Sequence, residues 1–340
     1  GMKVVLDAVY NHTGREFFAF ADILENGEKS KYRDWYFIDG FPLKSEWGEI
    51  PNFKCFGYYG GMPKLNLKNP EVEKYITDVA CYWMKECDID GWRLDVGDEI
   101  SHFFWKNFRK AVKAVKKDML IIGEIWHYAG DFLEGDEWDT VMNYSFYLNL
   151  IDLLADEKIN VSQFIQNLGY LKGRLNKKCY PLMWNLIDSH DTARFLHLCN
   201  DNKKKQHLAV AFQLLLPGMP MIYYGDEFAM PGANDPDCRR GMYWDEEYQD
   251  KEMFEWYKQL LKVRKNHTCI VEGEPMEISA RDEEETIVLT RKNGEETLAL
   301  IFNCSSSARV FNEYAQKYDL LRENPFDGKI EGHDAAIIVL

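Results

Sequence analysis

The sequence predicts an α/β fold: a barrel in which parallel strands alternate with helices, followed by a smaller all-β domain. Strand-like and helix-like segments alternate between residues 4 and 223, which is typical of parallel βα units. Four of the strand-like segments end in carboxylates or imidazoles, as the strands of a (β/α)8 TIM-type barrel do where they build an active site. From about residue 275 the helical pattern gives way to short strands.

The first predicted elements follow from local patterns. Val4–Leu6 predicts a buried strand close to the start of the chain. Asn69-Pro70 predicts the start of a helix, because Asn is a good N-cap and Pro fits the first helical position. The apolar residues at helical spacing that predict its buried face are Val72, Ile76, Val79, Ala80 and Trp83.

The alternation then continues to residue 223. The predicted strands are 91–95, 120–124, 140–143, 182–187 and 219–223, and the predicted helices are 103–116 and 206–216. Six strands are counted in all, whereas a closed (β/α)8 barrel has eight.

The same patterns predict the domain organisation. We expect a catalytic barrel over 1–272 that contains an inserted loop subdomain at 13–66, because long irregular stretches are usually functional or form small subdomains. Two strand-like runs flank Asn293-Gly294, a strong hairpin signal. They predict a C-terminal β-sandwich domain over 273–340.

Composition narrows the class of partner. The net charge of −15 argues against a nucleic-acid-binding groove, which needs clustered Lys and Arg. Aromatic residues reach 14%, which suits either core packing, the commoner role, or stacking on sugars.

The eight cysteines show no Cys-x-x-Cys spacing, so neither a zinc site nor a thioredoxin-like motif is predicted. They are typical of reduced thiols in a cytoplasmic protein. No run approaches the length of a membrane span and no signal peptide is visible, so we expect a cytoplasmic location without membrane partners.

Asp95 and Glu124 are the central pair of candidate catalytic residues. Cleavage of a glycosidic bond needs a carboxylate beside the anomeric carbon and a carboxylic acid that protonates the leaving oxygen. Arg93 would stabilise the ionised form of Asp95, although a simple ion pair explains the two residues equally well. The apolar neighbours of Glu124 would raise its pKa and keep it protonated, while the alternative is a buried acid held by backbone donors.

Two further segments place polar groups at strand ends. His190-Asp191 follows an apolar run, and Asn11-His12 follows the first strand. A lone His-Asp pair is more often structural than catalytic, and Asn-His can be a polar turn. Together with Asp95 and Glu124, however, these segments describe one rim of one barrel.

In this order, Asp7–His12, Gly91–Asp95, Gly123–His127 and Asp188–Asp191 resemble the four signature regions of the α-amylase family of glycoside hydrolases. The resemblance covers the whole chain. It implies that Asp95 is the nucleophile, Glu124 the general acid/base and Asp191 the stabiliser of the distorted sugar. It further implies that the residues binding the sugar in the cleaved subsite are His12, Arg93 and His190, and that Asp7 helps to position Arg93.

Finer features resemble the subgroup of neopullulanases, cyclomaltodextrinases and maltogenic amylases. They are the run Met62–Asn66, the Trp126-His127 pair after Glu124, and the two segments Tyr224–Glu227 and Asn234–Arg240. In this subgroup Trp126 would line the acceptor subsites and bind substrate, although a core position is the alternative.

Three departures qualify the resemblance. Lys64 stands where many α-amylases have an Asp that ligates calcium, and an ammonium group cannot replace that ligand. We therefore expect no required cofactor and no metal ligands; calcium stays an open alternative because Asn11 is present. By the resemblance, the chain also opens at the third barrel strand, without the active-site Tyr of the preceding part and without the subgroup's N-terminal β-domain.

The resemblance implies a retaining hydrolase of α-1,4-glucosidic bonds in cyclodextrins, maltooligosaccharides or pullulan. The alternatives are a non-catalytic α-glucan-binding fragment of such an enzyme and a transglycosylase on the same scaffold. The sequence leaves open the preferred glucan and the oligomeric state.

Overall fold

The computed structural model describes residues 1–44 and 48–340. Its contacts divide the chain into two compact units, residues 1–142 and 143–340. The domain boundary predicted at 272/273 stays a prediction, although the last helix ends there, at Glu272, and a strand begins at Glu274.

The first unit is built on a four-stranded parallel sheet in chain order. The register pairs Leu6 with Trp92 and Trp92 with Ile121. Parallel strands in this register bring their carboxyl ends to one edge, so the residues that follow each strand become neighbours. The strands are β1 (Val5–Ala8), β2 (Gly91–Leu94), β3 (Leu120–Gly123) and β4 (Thr140–Val141).

The described residues of the first unit form three α-helices, and the predicted helix start at Asn69-Pro70 is confirmed. The Asn69 side chain accepts a hydrogen bond from the backbone N–H of Glu71 at 2.9 Å. The helices are α1 (Phe18–Asn26), α2 (Pro70–Cys87) and α3 (His102–Val115).

The predicted buried face of α2 is partly wrong. Its buried residues are spaced four apart, from Val72 to Met84. Because a helical turn has 3.6 residues, the buried face shifts gradually around the helix axis along its length. Trp83, predicted to belong to this buried face, lies outside it and is 45% exposed.

The inserted stretch at 13–66 contains α1 and has a small hydrophobic core of its own. The Phe20 ring packs against the rings of Tyr36 and Phe53, with centroids 5.0 and 5.2 Å away. Antiparallel bridges join Ile38 to Phe53 and Tyr36 to Leu65. Residues 45–47 of the predicted subdomain lie outside the described residues.

The second unit contains a parallel pair of strands, β5 (Trp184–Asn185) and β6 (Met219–Pro220). Both are shorter than the predicted 182–187 and 219–223. Residues Tyr180–Leu182 form a 3₁₀ turn, in which Pro181 fits an early helical position. Sequence patterns had therefore located both strands but overestimated their lengths.

The described residues of the second unit also form six α-helices, of which Tyr144–Leu150 contacts β5 and Lys203–Leu215 contacts β6. One of them, α5, begins with a capping box that the sequence analysis overlooked, because Asn160 and Gln163 bind each other's backbone N–H groups. The helices are α4 (Tyr144–Leu150), α5 (Val161–Arg174), α6 (Phe195–Leu198), α7 (Lys203–Leu215), α8 (Lys251–Asn266) and α9 (Cys269–Glu272).

A six-stranded, mostly antiparallel sheet ends the chain, in the order β12-β11-β14-β9-β8-β7, and β10 pairs separately with β13. Residues of alternate faces, such as Ile287 and Val288, pack in two different clusters, one of which includes the helices. The strands are β7 (Glu274–Arg281), β8 (Thr286–Asn293), β9 (Glu296–Asn303), β10 (Arg309–Val310), β11 (Tyr318–Asp319), β12 (Asn324–Pro325), β13 (Lys329–Ile330) and β14 (Asp334–Val339).

Each unit has a parallel sheet interleaved with helices, and the second ends in an antiparallel sheet, which confirms the predicted α/β class with a C-terminal all-β part. Within the described part of the chain, no helix combines the length and the apolar character that crossing a membrane requires.

Candidate active site

Arg93 is the centre of the candidate site in the first unit. Its Nη1 donates to Asp95 Oδ1 at 2.7 Å and to Asp7 Oδ1 at 2.9 Å, and its Nη2 lies 2.9 Å from Glu124 Oε2. The register of β1, β2 and β3 explains this arrangement, because the three acids belong to neighbouring strands. Sharing one guanidinium brings Asp95 and Glu124 to within several ångströms of each other.

Glu124 is the most enclosed of these acids. It is 5% exposed, whereas the Asp95 side chain is 19% exposed. Burial raises the pKa of Glu124, and the neighbouring Arg93 opposes that rise only in part. The two acids therefore differ as an acid donor and a nucleophile should: burial shifts Glu124 towards its protonated form, and Asp95 is less buried and held by a cation.

The residue after Asp95 connects the two acids. Val96 has a left-handed backbone, with φ +48° and ψ +43°, and its N–H donates to Glu124 Oε2 at 2.9 Å. Further along, Asp98 binds the His127 ring at 2.9 Å. The loops that follow β2 and β3 are thus joined twice, by Val96 to Glu124 and by Asp98 to His127.

Trp126 lies beside the candidate acid. Its Nε1 donates to Glu124 Oε1 at 3.3 Å, and 40% of the residue is exposed. Of the two alternatives in the sequence analysis, this position favours a surface that can contact a ligand over a place in the core.

His12 lies after β1, and its ring stacks on Phe56 at 5.2 Å with an angle of 8° between the planes. Burial lowers the pKa of His12, while the nearby Asp95 and Glu99 partly restore it. A neutral ring can donate from one nitrogen and accept at the other, which suits binding of a hydroxyl group.

The position that the resemblance connects with calcium contains an ion pair. Lys64 Nζ donates to Glu99 Oε2 at 2.6 Å and to the Glu99 carbonyl at 3.2 Å, and Asn11 Nδ2 donates to the same Oε2 at 3.2 Å. Among the described residues, no cluster of three or more His, Cys, Asp or Glu is placed to hold a metal ion. An ammonium group and an amide N–H at Glu99 do not fit a calcium ion, which needs oxygen ligands.

His190 and Asp191 belong to the second unit. His190 Nε2 lies 3.2 Å from Asp191 Oδ2, and Arg239 Nη2 donates to Asp191 Oδ1 at 3.1 Å. Arg239 also donates through Nε to the His190 carbonyl at 2.8 Å and pairs with Asp235. Arg239 therefore holds both candidate residues from one side.

A second cluster of ionisable residues is formed by Asp188, Asp226 and Arg194, of which Asp188 and Arg194 are close in sequence to the His190-Asp191 pair. Asp188 and Asp226 are each 1% exposed, and Arg194 is completely buried. Arg194 Nη1 donates to Asp226 Oδ1 at 3.0 Å, while Asp188 Oδ2 accepts from the N–H of Phe195 at 2.7 Å.

The buried carboxyl groups of Asp188 and Asp226 lie close enough to influence each other electrostatically. Burial raises the pKa of both acids, and for Asp226 the charge of Asp188 adds to the effect. Two ionised carboxylates in a sealed environment would repel each other, and both effects favour a proton on one of them.

The structure thus brings four of the predicted site residues into one cluster: Arg93, Asp95, Glu124 and Trp126. His12 lies near Asp95, and His190 with Asp191 forms a group in the other unit. Sequence analysis missed the functions of Val96, Arg194 and Arg239. For Arg239, the signal was the Asp four residues earlier in a polar run, whereas no local pattern marks Val96.

Comparison with known proteins places this site in a family. The family described as alpha amylase, catalytic domain, matches residues 1–249. A cyclomaltodextrinase from Geobacillus thermopakistaniensis is 46% identical over 91% of this chain and 52% of its own length. Neopullulanase 2 of Thermoactinomyces vulgaris is 46% identical over 80% of this chain and 46% of its own length.

An intracellular maltogenic amylase of Bacillus subtilis is 41% identical over 89% of this chain and 51% of its own length. Among solved structures, the ligand-free cyclic α-maltosyl-(1→6)-maltose hydrolase of Arthrobacter globiformis matches with a TM-score of 0.89 at 33% identity. That match covers 100% of this chain and 76% of the other. The chain spans about half the length of the curated relatives it matches.

The family match extends over most of the chain and includes every strand that positions Arg93, Asp95, Glu124 and Asp191. The chain therefore belongs to the alpha-amylase family, as its four strand-end segments predicted.

Proposed function

We propose that the protein is a retaining glycoside hydrolase that cleaves α-1,4-glucosidic bonds in cyclodextrins, maltooligosaccharides or pullulan. The observation that supports it most is the single guanidinium of Arg93 between an open Asp95 and an enclosed Glu124. Relatives named cyclomaltodextrinase and neopullulanase support the substrate class.

In this proposal Glu124 protonates the glycosidic oxygen while Asp95 attacks the anomeric carbon, and a covalent glycosyl-enzyme forms. Water, activated by Glu124 as a base, then releases the sugar with its configuration retained. His12, His190 and Arg93 would bind the sugar in the cleaved subsite, and Asp191 would stabilise its distorted transition state.

The test is the pair of substitutions Asp95→Asn and Glu124→Gln in the whole protein. Each should lower the release of reducing sugar from β-cyclodextrin by at least about 10³-fold, because each removes one of the two chemical groups. Asp118→Asn, an exposed acid just before β3, is the matched control and should keep wild-type turnover.

Near-wild-type turnover in either active-site variant would contradict the assignment. If the unsubstituted chain binds maltooligosaccharides in calorimetry yet releases no reducing sugar, the non-catalytic alternative applies instead.

Transglycosylation is a second candidate on the same residues. The exposed Trp126 ring beside Glu124 favours it, since an apolar ring next to the acid/base can hold an acceptor sugar in place of water. Product analysis with added glucose separates the two: longer oligosaccharides indicate transfer, and smaller sugars alone indicate hydrolysis.

We propose that turnover needs no metal ion, since Lys64 is paired with Glu99 at the position connected with calcium. EDTA should therefore change neither turnover nor the unfolding midpoint. A loss of turnover that added Ca²⁺ restores would contradict this.

We further propose a cytoplasmic location and partners limited to α-glucans, without nucleic acid or membrane. All eight cysteines are free, which is typical of a reducing compartment, and the relative from Bacillus subtilis is named intracellular. Cell fractionation with an antibody against the chain tests the location.

A further inference from the structure

The backbone of Val96 is unusual for its residue type. Among the described residues, eleven that are not glycine have a positive φ, and Val96 is the β-branched one. A branched Cβ crowds the backbone in the left-handed region, so this conformation is costly and persists only where the surroundings impose it.

The left-handed conformation of Val96 determines the direction in which its backbone N–H group points. Val96 directly follows Asp95, and its N–H reaches across to Glu124 Oε2 at 2.9 Å. Arg93 Nη2 lies at the same distance from the same oxygen. Oε2 therefore accepts the hydrogen bond of Val96 and lies beside the positive charge of Arg93.

The other oxygen of Glu124 is in a different environment. Oε1 accepts one long hydrogen bond, 3.3 Å from Trp126 Nε1. A hydrogen atom on Oε2 would compete with the Val96 N–H and lie next to the Arg93 cation, whereas the neighbour of Oε1 is the long hydrogen bond from Trp126. The two oxygens of a free carboxylate are equivalent, whereas the two oxygens of Glu124 have different neighbours.

We propose that Val96 is a positioning residue for the proton of Glu124: its left-handed backbone reserves Oε2 as the acceptor, so Oε1 carries and donates the proton. This assignment rests on the proposed function, in which Glu124 is the general acid. During bond cleavage the proton leaves Oε1 for the glycosidic oxygen, and the bond between that oxygen and the anomeric carbon breaks. The negative charge left on Glu124 is stabilised at Oε2 by the Val96 N–H and the Arg93 guanidinium.

The first test needs no turnover, so it separates this inference from the proposed function. The ¹⁵N shift of the Val96 amide, followed in protein labelled selectively at valine, should titrate with the midpoint of the Glu124 carboxyl. Glu124→Gln should abolish that titration, and Asp98→Asn, a neighbouring acid, should leave it in place. A Val96 amide that does not respond to pH in the wild type, or still titrates in Glu124→Gln, would overturn the proposal.

The second test separates positioning from a merely structural role. Val96→Asn keeps the left-handed conformation that Asn tolerates, whereas Val96→Gly frees the backbone to leave it. Val96→Asn should raise the urea midpoint of unfolding and keep the wild-type pH profile. Val96→Gly should lower kcat about tenfold at unchanged KM and move the alkaline limb of the profile upwards, because Oε2 loses an ordered donor.

Two results of the second test would overturn the inference. One is a Val96→Gly variant with wild-type kcat and alkaline limb. The other is a Val96→Asn variant that is less stable than the wild type, since the valine conformation would then carry no strain.

Discussion

Two arginines in this chain each hold carboxylates, and their surroundings differ. Arg93 binds Asp7 and Asp95 and pairs with Glu124, and the Asp7 side chain is 52% exposed. Arg194 binds Asp226 next to Asp188, and all three residues are at most 1% exposed. The first cluster is open on one side, whereas the second is sealed by protein.

This difference in solvent exposure suits the Arg93 cluster to reaction with a ligand and the Arg194 cluster to a structural function. In the Arg93 cluster, water or a sugar can reach Asp95, so losing the cation changes chemistry more than folding. In the Arg194 cluster no solvent replaces a lost partner, so the same change acts on stability.

Arg194→Met should lower the free energy of unfolding by about 3–5 kcal/mol, because it leaves a buried carboxylate without its cation. Urea unfolding followed by fluorescence measures it. Arg239→Met, at a half-exposed arginine, is the control and should cost about 1 kcal/mol or less. Equal losses in both variants would remove the distinction between sealed and open clusters.

Arg93→Met should lower kcat on β-cyclodextrin by about 10²–10³-fold, since Asp95 and Glu124 lose the group that holds both of them. The free energy of unfolding should fall by less than about 2 kcal/mol, because solvent can hydrate Asp7 and Asp95. Turnover close to wild type, or an unfolding loss as large as that of Arg194→Met, would contradict the comparison.

Asp226→Asn should change how stability depends on pH. Burial raises the pKa of Asp188 and Asp226, so the folded protein keeps a proton that the unfolded chain releases above about pH 4. The wild-type contribution is therefore fully present below the unfolded pKa and is lost as pH rises towards the folded pKa, by up to about 1.4 kcal/mol per pH unit. Asp226→Asn removes the contribution of Asp226 and keeps that of the buried Asp188, so its stability should depend less on pH.

The measurement is the difference in unfolding free energy between wild type and Asp226→Asn from pH 4 to 8. Asp237→Asn provides a control of opposite sign, because the bond from Arg240 holds the pKa of Asp237 below its usual range. A difference that is flat with pH for Asp226→Asn would mean that the buried pair holds no proton.

Glu99→Gln should have the smallest effect, a loss of about 1 kcal/mol or less in unfolding free energy. The Glu99 side chain is 41% exposed, and ion pairs in contact with water contribute little. Asp78→Asn, in the exposed Lys74–Asp78 pair on α2, should behave alike. A loss above about 2 kcal/mol for Glu99→Gln but not for Asp78→Asn would show that the Lys64–Glu99 pair stabilises the fold as a buried pair does, which contradicts this prediction.

The sequence predicted the open cluster better than the sealed one, for a physical reason. Asp95 and Glu124 stand directly after strands whose apolar pattern is visible, and parallel register then makes them neighbours. The pairing of Asp188 with Asp226 depends on how residues distant in sequence pack, which no local pattern encodes. Trp83 illustrates the same limit, because helical periodicity alone did not show how the buried line of α2 turns.

Val96 marks a further limit. A valine after a strand predicts continued extended backbone, so its left-handed conformation opposes local preference. Only the contacts with Glu124 give a reason for it. Departures of this kind are concentrated where a site imposes its own geometry.

The central claim is that Asp95 is the nucleophile and Glu124 the acid of one retaining site. The most direct measurement is trapping with 5-fluoro-α-D-glucosyl fluoride, followed by intact mass and peptide mapping. One added glycosyl group per chain is expected on Asp95; it should last longer in Glu124→Gln, which lacks the base that activates water, and should be absent in Asp95→Asn. A label on Asp191 or elsewhere, or continued turnover of the reagent without any label, would contradict it.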